Sequence, residues 1–329
     1  MKSPQKFNIP AALALFLTFF LTFFLTFFLT PQAPLWASGS AEQQTNASEQ
    51  ENGLLIYVSI LPQQYFVEQI AGPHAEVRVM VPPGRSPASY EPSPKQVARL
   101  GRADLFFTIG VPFENAFVPL IRDEIEHLRI IDTSKGIEKR SIHADEIVES
   151  GAEADGDHED GHDHEGEQPD PHIWLAPPLV IEQAAHIRDG LIQAEPEKEQ
   201  LYRENYRRFR RELQELHAEL KEILQPVKGS TILVYHPSFG YFAETYGLSQ
   251  IAIEMGGKEP GARQLQEVIK TAKANNAKVI FVQPEFSKAS ARKVADAIDG
   301  AVVEVAPLKL QYMQNMRSIA SAIRSGLSQ

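Results

Sequence analysis

The chain contains no cysteine among its 329 residues. That excludes disulfides, thiolate metal ligands, a cysteine nucleophile and a lipid-attachment cysteine together. Any metal site must therefore use nitrogen and oxygen donors. Nothing marks a basic face, and the formal net charge is −11, so no nucleic-acid partner is expected. A G-x-S-x-G nucleophile elbow is also missing. Between Glu149 and Asp170, Lys and Arg disappear altogether while ten acidic residues accumulate. Almost all of the net charge is thus a local device.

That acidic stretch is the most distinctive part of the chain. It carries His158, His162 and His164 among carboxylates and small residues. Such a composition has nothing to bury and reads as a mobile loop, spanning 150–168. It ends at Asp170-Pro171-His172-Ile173-Trp174-Leu175, where bulky apolar side chains return. Imidazole and carboxylate together suit zinc and related divalent ions. The stretch therefore reads as a metal-collecting loop leading into an ordered ligand, His172. The plainer alternative is a solvated acidic linker that happens to contain histidines.

At the other extreme, Lys2 and Lys6 precede an uncharged run from Phe7 to about Leu35. A positive start followed by a long apolar run reads as a secretory leader over 1–37, or as an uncleaved signal anchor. Residues 38–53 are polar and read as a disordered tether. The folded part is then expected outside the cytoplasm, in the periplasm.

Short apolar runs alternate with helical patterns from Leu54 onward. Strands are expected at 54–60, 76–81, 104–109 and 128–131, with helices at 62–71, 95–100 and 113–122. A proline-rich loop covers 82–94. A helix follows at 178–194. Glu197 to Leu224 then lacks Gly and Pro and places Leu201, Phe209, Leu213, Leu216, Leu220 and Ile223 at helical spacing. That predicts a single helix of about 28 residues. A second strand–helix series runs from Thr231 to Leu327. The fold class is α/β, with two parallel-sheet, Rossmann-like lobes joined by one long rigid helix. The expected divisions are an N-terminal lobe over 54–176, linking helices over 177–226 and a C-terminal lobe over 227–329. Ligands in such sheets bind beyond the carboxyl ends of strands, so the interlobe cleft is the expected site.

His236 directly follows the strand Ile232-Leu233-Val234-Tyr235 and so stands at a cleft edge. His172 closes the first lobe. Two histidines on opposite lobes can share one ion, although each alone is also what a histidine at a helix start looks like.

Several motifs carry a resemblance when taken together. They are Pro82-Pro83-Gly84 with Tyr90-Glu91-Pro92-Ser93-Pro94, Asp170-Pro171-His172-Ile173-Trp174-Leu175, and Tyr235-His236 leading into Phe239-Gly240-Tyr241-Phe242. Pro260-Gly261-Ala262 and the strand end from Phe281 to Phe286 complete the set. In these the chain resembles the zinc and manganese solute-binding proteins of bacterial ABC importers, over roughly residues 54–329. The resemblance implies a non-enzymatic, monomeric transport component. It would bind Zn²⁺, or less favourably Mn²⁺, in the cleft and deliver it to a membrane permease. It also implies four ligands, of which only His172 and His236 carry over. Ala88 and Ala306 stand where similar proteins have His and Asp. Glu285 is the leading candidate to complete the shell, with the loop histidines His158, His162 and His164 beside it and Tyr90 and Glu91 behind them.

Two other classes compete. A secreted metal-dependent hydrolase would require an open metal position and a general base. Ser238, next to the His236 loop, has no identifiable partner acid. The other competitor is a binding protein that has lost its cleft metal and takes another small solute. The two alanines support it, and the His-rich loop argues against it.

Overall fold

A computed structural model describes residues 53–142, 169–254 and 260–328. The expected leader, the expected tether up to residue 52 and the His-rich segment lie outside the described residues. All described residues belong to one compact unit, Asn52–Gln329. Among them no helix is long and apolar enough to cross a membrane.

The first sheet contains β1 (Leu54–Val58), β2 (Ala75–Val79), β3 (Leu105–Thr108) and β4 (Arg129–Asp132). Its order is β2-β1-β3-β4, and every pair is parallel. The second sheet contains β5 (Thr231–Val234), β6 (Ser249–Ala252), β7 (Val279–Val282) and β8 (Ala301–Glu304). It repeats the arrangement as β6-β5-β7-β8, again all parallel. Burial explains the composition of the strands. Central β3 (Leu-Phe-Phe-Thr) and β7 (Val-Ile-Phe-Val) are buried at every position, whereas edge strands β4 and β8 expose their ends. Continuous apolar runs are what parallel strands covered on both faces require.

Helices α1 (Leu61–Ala71), α2 (Pro94–Leu100), α3 (Pro112–Glu124) and α4 (Pro177–Ala194) accompany the first sheet. Helix α5 (Glu199–Leu224) is the long one, at 26 residues, or about 39 Å at 1.5 Å per residue. Helices α6 (Gly240–Tyr246), α7 (Ala262–Ala274), α8 (Lys288–Ala297) and α9 (Tyr312–Leu327) accompany the second sheet. The α5 seam differs in detail from the expected one. Tyr202, Phe209, Leu213, Leu216, Leu220 and Leu224 are buried, while Leu201 and Ile223 are only partly covered. The stripe turns by one residue at each end because α5 packs on α1, α4 and α9 at once, which widens its covered face.

One apolar core runs from the first sheet through α5 into the second. A smaller core fills the outer face of the second sheet beneath α7 and α8. The lobes are also stitched directly. Trp174 Nε1 donates to the Pro307 carbonyl at 3.1 Å, Tyr312 Oη donates to the Trp174 carbonyl at 2.9 Å, and Tyr312 meets Phe66 edge-on at 4.9 Å. These ties and the continuous core oppose large hinge opening.

Candidate metal centre

In the order β6-β5-β7-β8, the chain leaves β5 toward β6 on one side and later returns to β7 on the other. The carboxyl ends of β5 and β7 therefore flank a topological switch point, where a crevice opens. His236 stands two residues beyond β5, Glu285 three beyond β7, and Glu254 two beyond β6. The His172 segment meets them from the first lobe, on the short turn Ile173–Leu175 that leads into α4.

The two histidine rings lie 5.2 Å apart, centroid to centroid, at 74°. A zinc ion about 2.1 Å from an imidazole nitrogen lies roughly 3.2 Å from that ring's centroid. Two such rings at a tetrahedral angle then stand about 5.2 Å apart. The observed separation fits one shared ion.

Each imidazole is held by a buried carboxylate through the same nitrogen. His172 Nδ1 lies 2.6 Å from Asp170 Oδ1, which also accepts the His172 backbone N–H at 2.9 Å. His236 Nδ1 lies 2.7 Å from Glu254 Oε2. Asp170 and Glu254 are 0% and 1% exposed. An ionised carboxylate only accepts, so Nδ1 carries the proton and Nε2 keeps its lone pair. That is the carboxylate–histidine arrangement of metal ligands. Burial alone would raise the Asp170 pKa. The His172 ring and its hydrogen bonds, with Arg140 beside them, outweigh burial and hold it below the usual carboxylate range. Burial lowers the His236 pKa despite the Glu254 hydrogen bond, so the ring is kept neutral and ready to bind a cation.

The surroundings fix both rings. His236 stacks on Phe286 at 4.9 Å and 24°. Gln283 accepts from the His236 backbone N–H at 3.3 Å and donates to its carbonyl at 2.9 Å. His172 packs beside Trp174 at 5.1 Å.

The other expected positions fall differently. Ala88 is exposed, on a proline-rich loop that ends in the Ser93–Gln96 capping box at the start of α2. Ala306 is buried, and its carbonyl accepts from Asn315 Nδ2 at 2.7 Å. Neither offers a side-chain donor. Tyr90 is buried against Phe113, at 5.5 Å, and Glu91 is exposed. Glu285 is half-buried. Burial raises its pKa, an effect opposed by its own backbone N–H and by the nearby His236. Among the described residues, no third His, Asp or Glu joins the two histidines in a cluster able to hold an ion. His158, His162 and His164 lie outside the described residues.

The two carboxylates that hold the imidazoles escaped the sequence reading. Asp170 stood in plain view but as the last member of an acidic run, and its placement two residues before His172 was the available signal. Glu254 offered a weaker one, an acid just past the apolar end of β6.

Comparison with known proteins gives concordant findings. The family described as the periplasmic component A of the zinc-uptake complex matches residues 56–326. The zinc-binding lipoprotein AdcA of Streptococcus pneumoniae (strain ATCC BAA-255 / R6) is 31% identical over 256 residues, which cover 76% of this chain and 49% of that protein. The chain thus spans about half the length of that relative. The high-affinity zinc uptake system protein ZnuA of Bacillus subtilis (strain 168) is 27% identical over 276 residues, 82% of each chain. A crystal structure of ZnuA superposes with a TM-score of 0.75 at 35% identity, covering 84% of this chain and all of the other. A ZnuA deletion mutant with zinc bound gives 0.73 at 34% identity, covering 84% and 98%.

Proposed function

The chain belongs to the family of periplasmic component A proteins of zinc-uptake complexes, and from that premise we propose that it captures Zn²⁺ outside the cytoplasm and hands it to the membrane permease of an ABC importer. Proteins of this family are transport components and not enzymes. The observation that carries the reading is the pair of facing imidazoles, 5.2 Å apart, each pinned through Nδ1 by a buried carboxylate. Two neutral nitrogen donors favour zinc over manganese, which prefers oxygen ligands. The metal is cargo: it binds, is held and leaves.

Glu285 is the proposed third ligand. Its carboxylate already lies close enough to His236 to feel that ring's charge, and a bound cation would draw it into the ionised form. The loop histidines His158, His162 and His164 are proposed to gather cations, with the surrounding acids raising their local concentration. The leader read over residues 1–37 is proposed to carry the chain across the inner membrane into the periplasm. The letters His158-Glu159-Asp160-Gly161-His162 do spell H-E-x-x-H. That motif works as a metal site only on a helix that sets both histidines on one face.

Competitive titration against a chromogenic chelator tests the reading, with Zn²⁺ and Mn²⁺ in parallel. The expected result is one tight zinc site, much weaker manganese binding, and a loss of at least several-fold for zinc in Glu285→Gln. Equal affinities for both metals would point away from a two-imidazole site. An unchanged Glu285→Gln would remove that residue from the shell.

A further inference from the structure

The functional account so far leaves the partly buried charge of Arg140 unused. Arg140 precedes the acidic segment, and Asp170 follows it. The two are joined through their backbones, with Asp170 N–H donating to the Arg140 carbonyl at 2.8 Å beside a bridge between Ser141 and Pro169. They are joined again through their side chains, with the Arg140 guanidinium 3.3 Å from Asp170 Oδ2. The Arg140 side chain is only 16% exposed. Asp170 therefore divides its oxygens: Oδ1 serves both His172 donors, and Oδ2 faces Arg140.

The C-terminal lobe completes the seat. Arg140 N–H donates to Tyr241 Oη at 3.0 Å, and that hydroxyl donates to the Asp170 carbonyl at 3.1 Å. The guanidinium lies 5.8 Å from the Tyr241 ring centroid and 3.7 Å from Glu244, both on α6. It occupies space that exists only because residue 240 is glycine. A Cβ there would fall 1.7 Å from a guanidinium nitrogen of Arg140 and 2.9 Å from Asp170 Oδ2. This gives a physical reason for Gly240 in the Phe239-Gly240-Tyr241-Phe242 motif.

We propose that Arg140 is a positioning residue for the metal site: its guanidinium, seated over Gly240, locks Asp170 and through it fixes the orientation and tautomer of His172. The inference rests on the reading of His172 as a zinc ligand. Arg140 itself touches no ion. It acts by giving the buried carboxylate a second charged partner, so that Oδ1 stays committed to the imidazole N–H. It also fastens this unit to α6, so the first-lobe ligand is held by the second lobe.

The test combines two readouts on Arg140→Gln, Arg140→Lys and Gly240→Ala in the full chain. The first is zinc affinity by chelator competition. The second is the ¹⁵N signature of the His172 ring in metal-free protein, which reports the tautomer. Arg140→Gln is expected to weaken zinc binding by about 10- to 100-fold, the usual range for groups behind a ligand, and to give a mixed-tautomer His172 signal. Arg140→Lys restores the charge and should recover most of the affinity and the single tautomer. Gly240→Ala, which evicts the guanidinium while leaving Arg140 in the sequence, should reproduce Arg140→Gln. A general loss of stability would lower the melting temperature without this pattern of rescue. If Arg140→Gln binds zinc within two-fold of the parent and keeps one tautomer, the proposal is overturned while the metal site stands. If the parent binds no zinc through His172 but the tautomer still responds to Arg140, the site reading falls and the positioning of the ring stands.

Discussion

Replacing Glu254 by Gln tests the electrostatics of the centre while preserving its shape. The Glu254 carboxylate is 1% exposed, lies 2.7 Å from His236 Nδ1, and is anchored by its own backbone N–H to the Tyr235 carbonyl at 2.8 Å. Gln keeps the volume and offers an amide oxygen to the same ring N–H, so packing survives and the negative charge is lost. Removing a carboxylate behind a metal-bound histidine costs about 10- to 100-fold in affinity, or roughly 1.4–2.7 kcal/mol. A second effect follows in pH. Burial lowers the His236 pKa and Glu254 opposes that lowering. Without the carboxylate the pKa falls further, so protons compete less for the ring in acid. The variant should therefore be clearly weaker near pH 7.5, with the gap narrowing toward pH 5. The assay is chelator competition across that range, with the melting temperature of the metal-free variant as a check on folding. A folded variant that matches the parent within two-fold at pH 7.5 would refute the reasoning.

Two further predictions concern stability. Glu114 is buried, and burial pushes its pKa up to about 7 even though the Ile109 and Gly110 backbone N–H groups donate to it. The native state then holds a proton that the unfolded chain releases above about pH 4.5. Stability should fall as pH rises through the window from about 4.5 to 7, by about 3 kcal/mol at most. Glu114→Gln should gain on the parent between pH 5 and pH 8 in urea melts, whereas an equal difference at both pH values would contradict the shift. Gly190 lets α4 approach the first sheet, since a Cβ there would lie 2.5 Å from Ile131 Cδ1 and 2.8 Å from a Phe107 ring carbon. Overpacking of about 1–3 kcal/mol should exceed the helix-propensity gain of roughly 1 kcal/mol, so Gly190→Ala should lower the melting temperature. A rise would show that the two side chains step aside freely.

What could be read from the sequence follows what is local. The all-apolar runs of β3 and β7 declare central parallel strands. The Gly- and Pro-free stretch ending at Leu224 declares α5, and the prolines at 82, 83, 87, 92 and 94 declare the loop before α2. His236 at the carboxyl end of β5 could be placed in the crevice from strand order alone. Contacts distant in the chain were not legible. Glu254 reaches His236 from the next strand, and Arg140 meets Tyr241 a hundred residues away, a pairing that no spacing rule predicts. Asp170 was misjudged for another reason. It closes a run of ten acidic residues, so composition hid a carboxylate that is buried beside His172. The edge positions Leu201 and Tyr202 were exchanged because α5 packs on several helices, chiefly α1, α4 and α9, and not on one, which periodicity does not reveal.

Competitive zinc titration of the chain beside a His172→Ala/His236→Ala double variant, with the acidic His-rich segment left intact, tests the account most directly. The account predicts that tight binding at one site disappears in the variant, leaving only weak binding by the segment. A variant that binds zinc as the parent does would place the metal in that segment alone, and would mean that the two carboxylate-backed imidazoles hold no cargo.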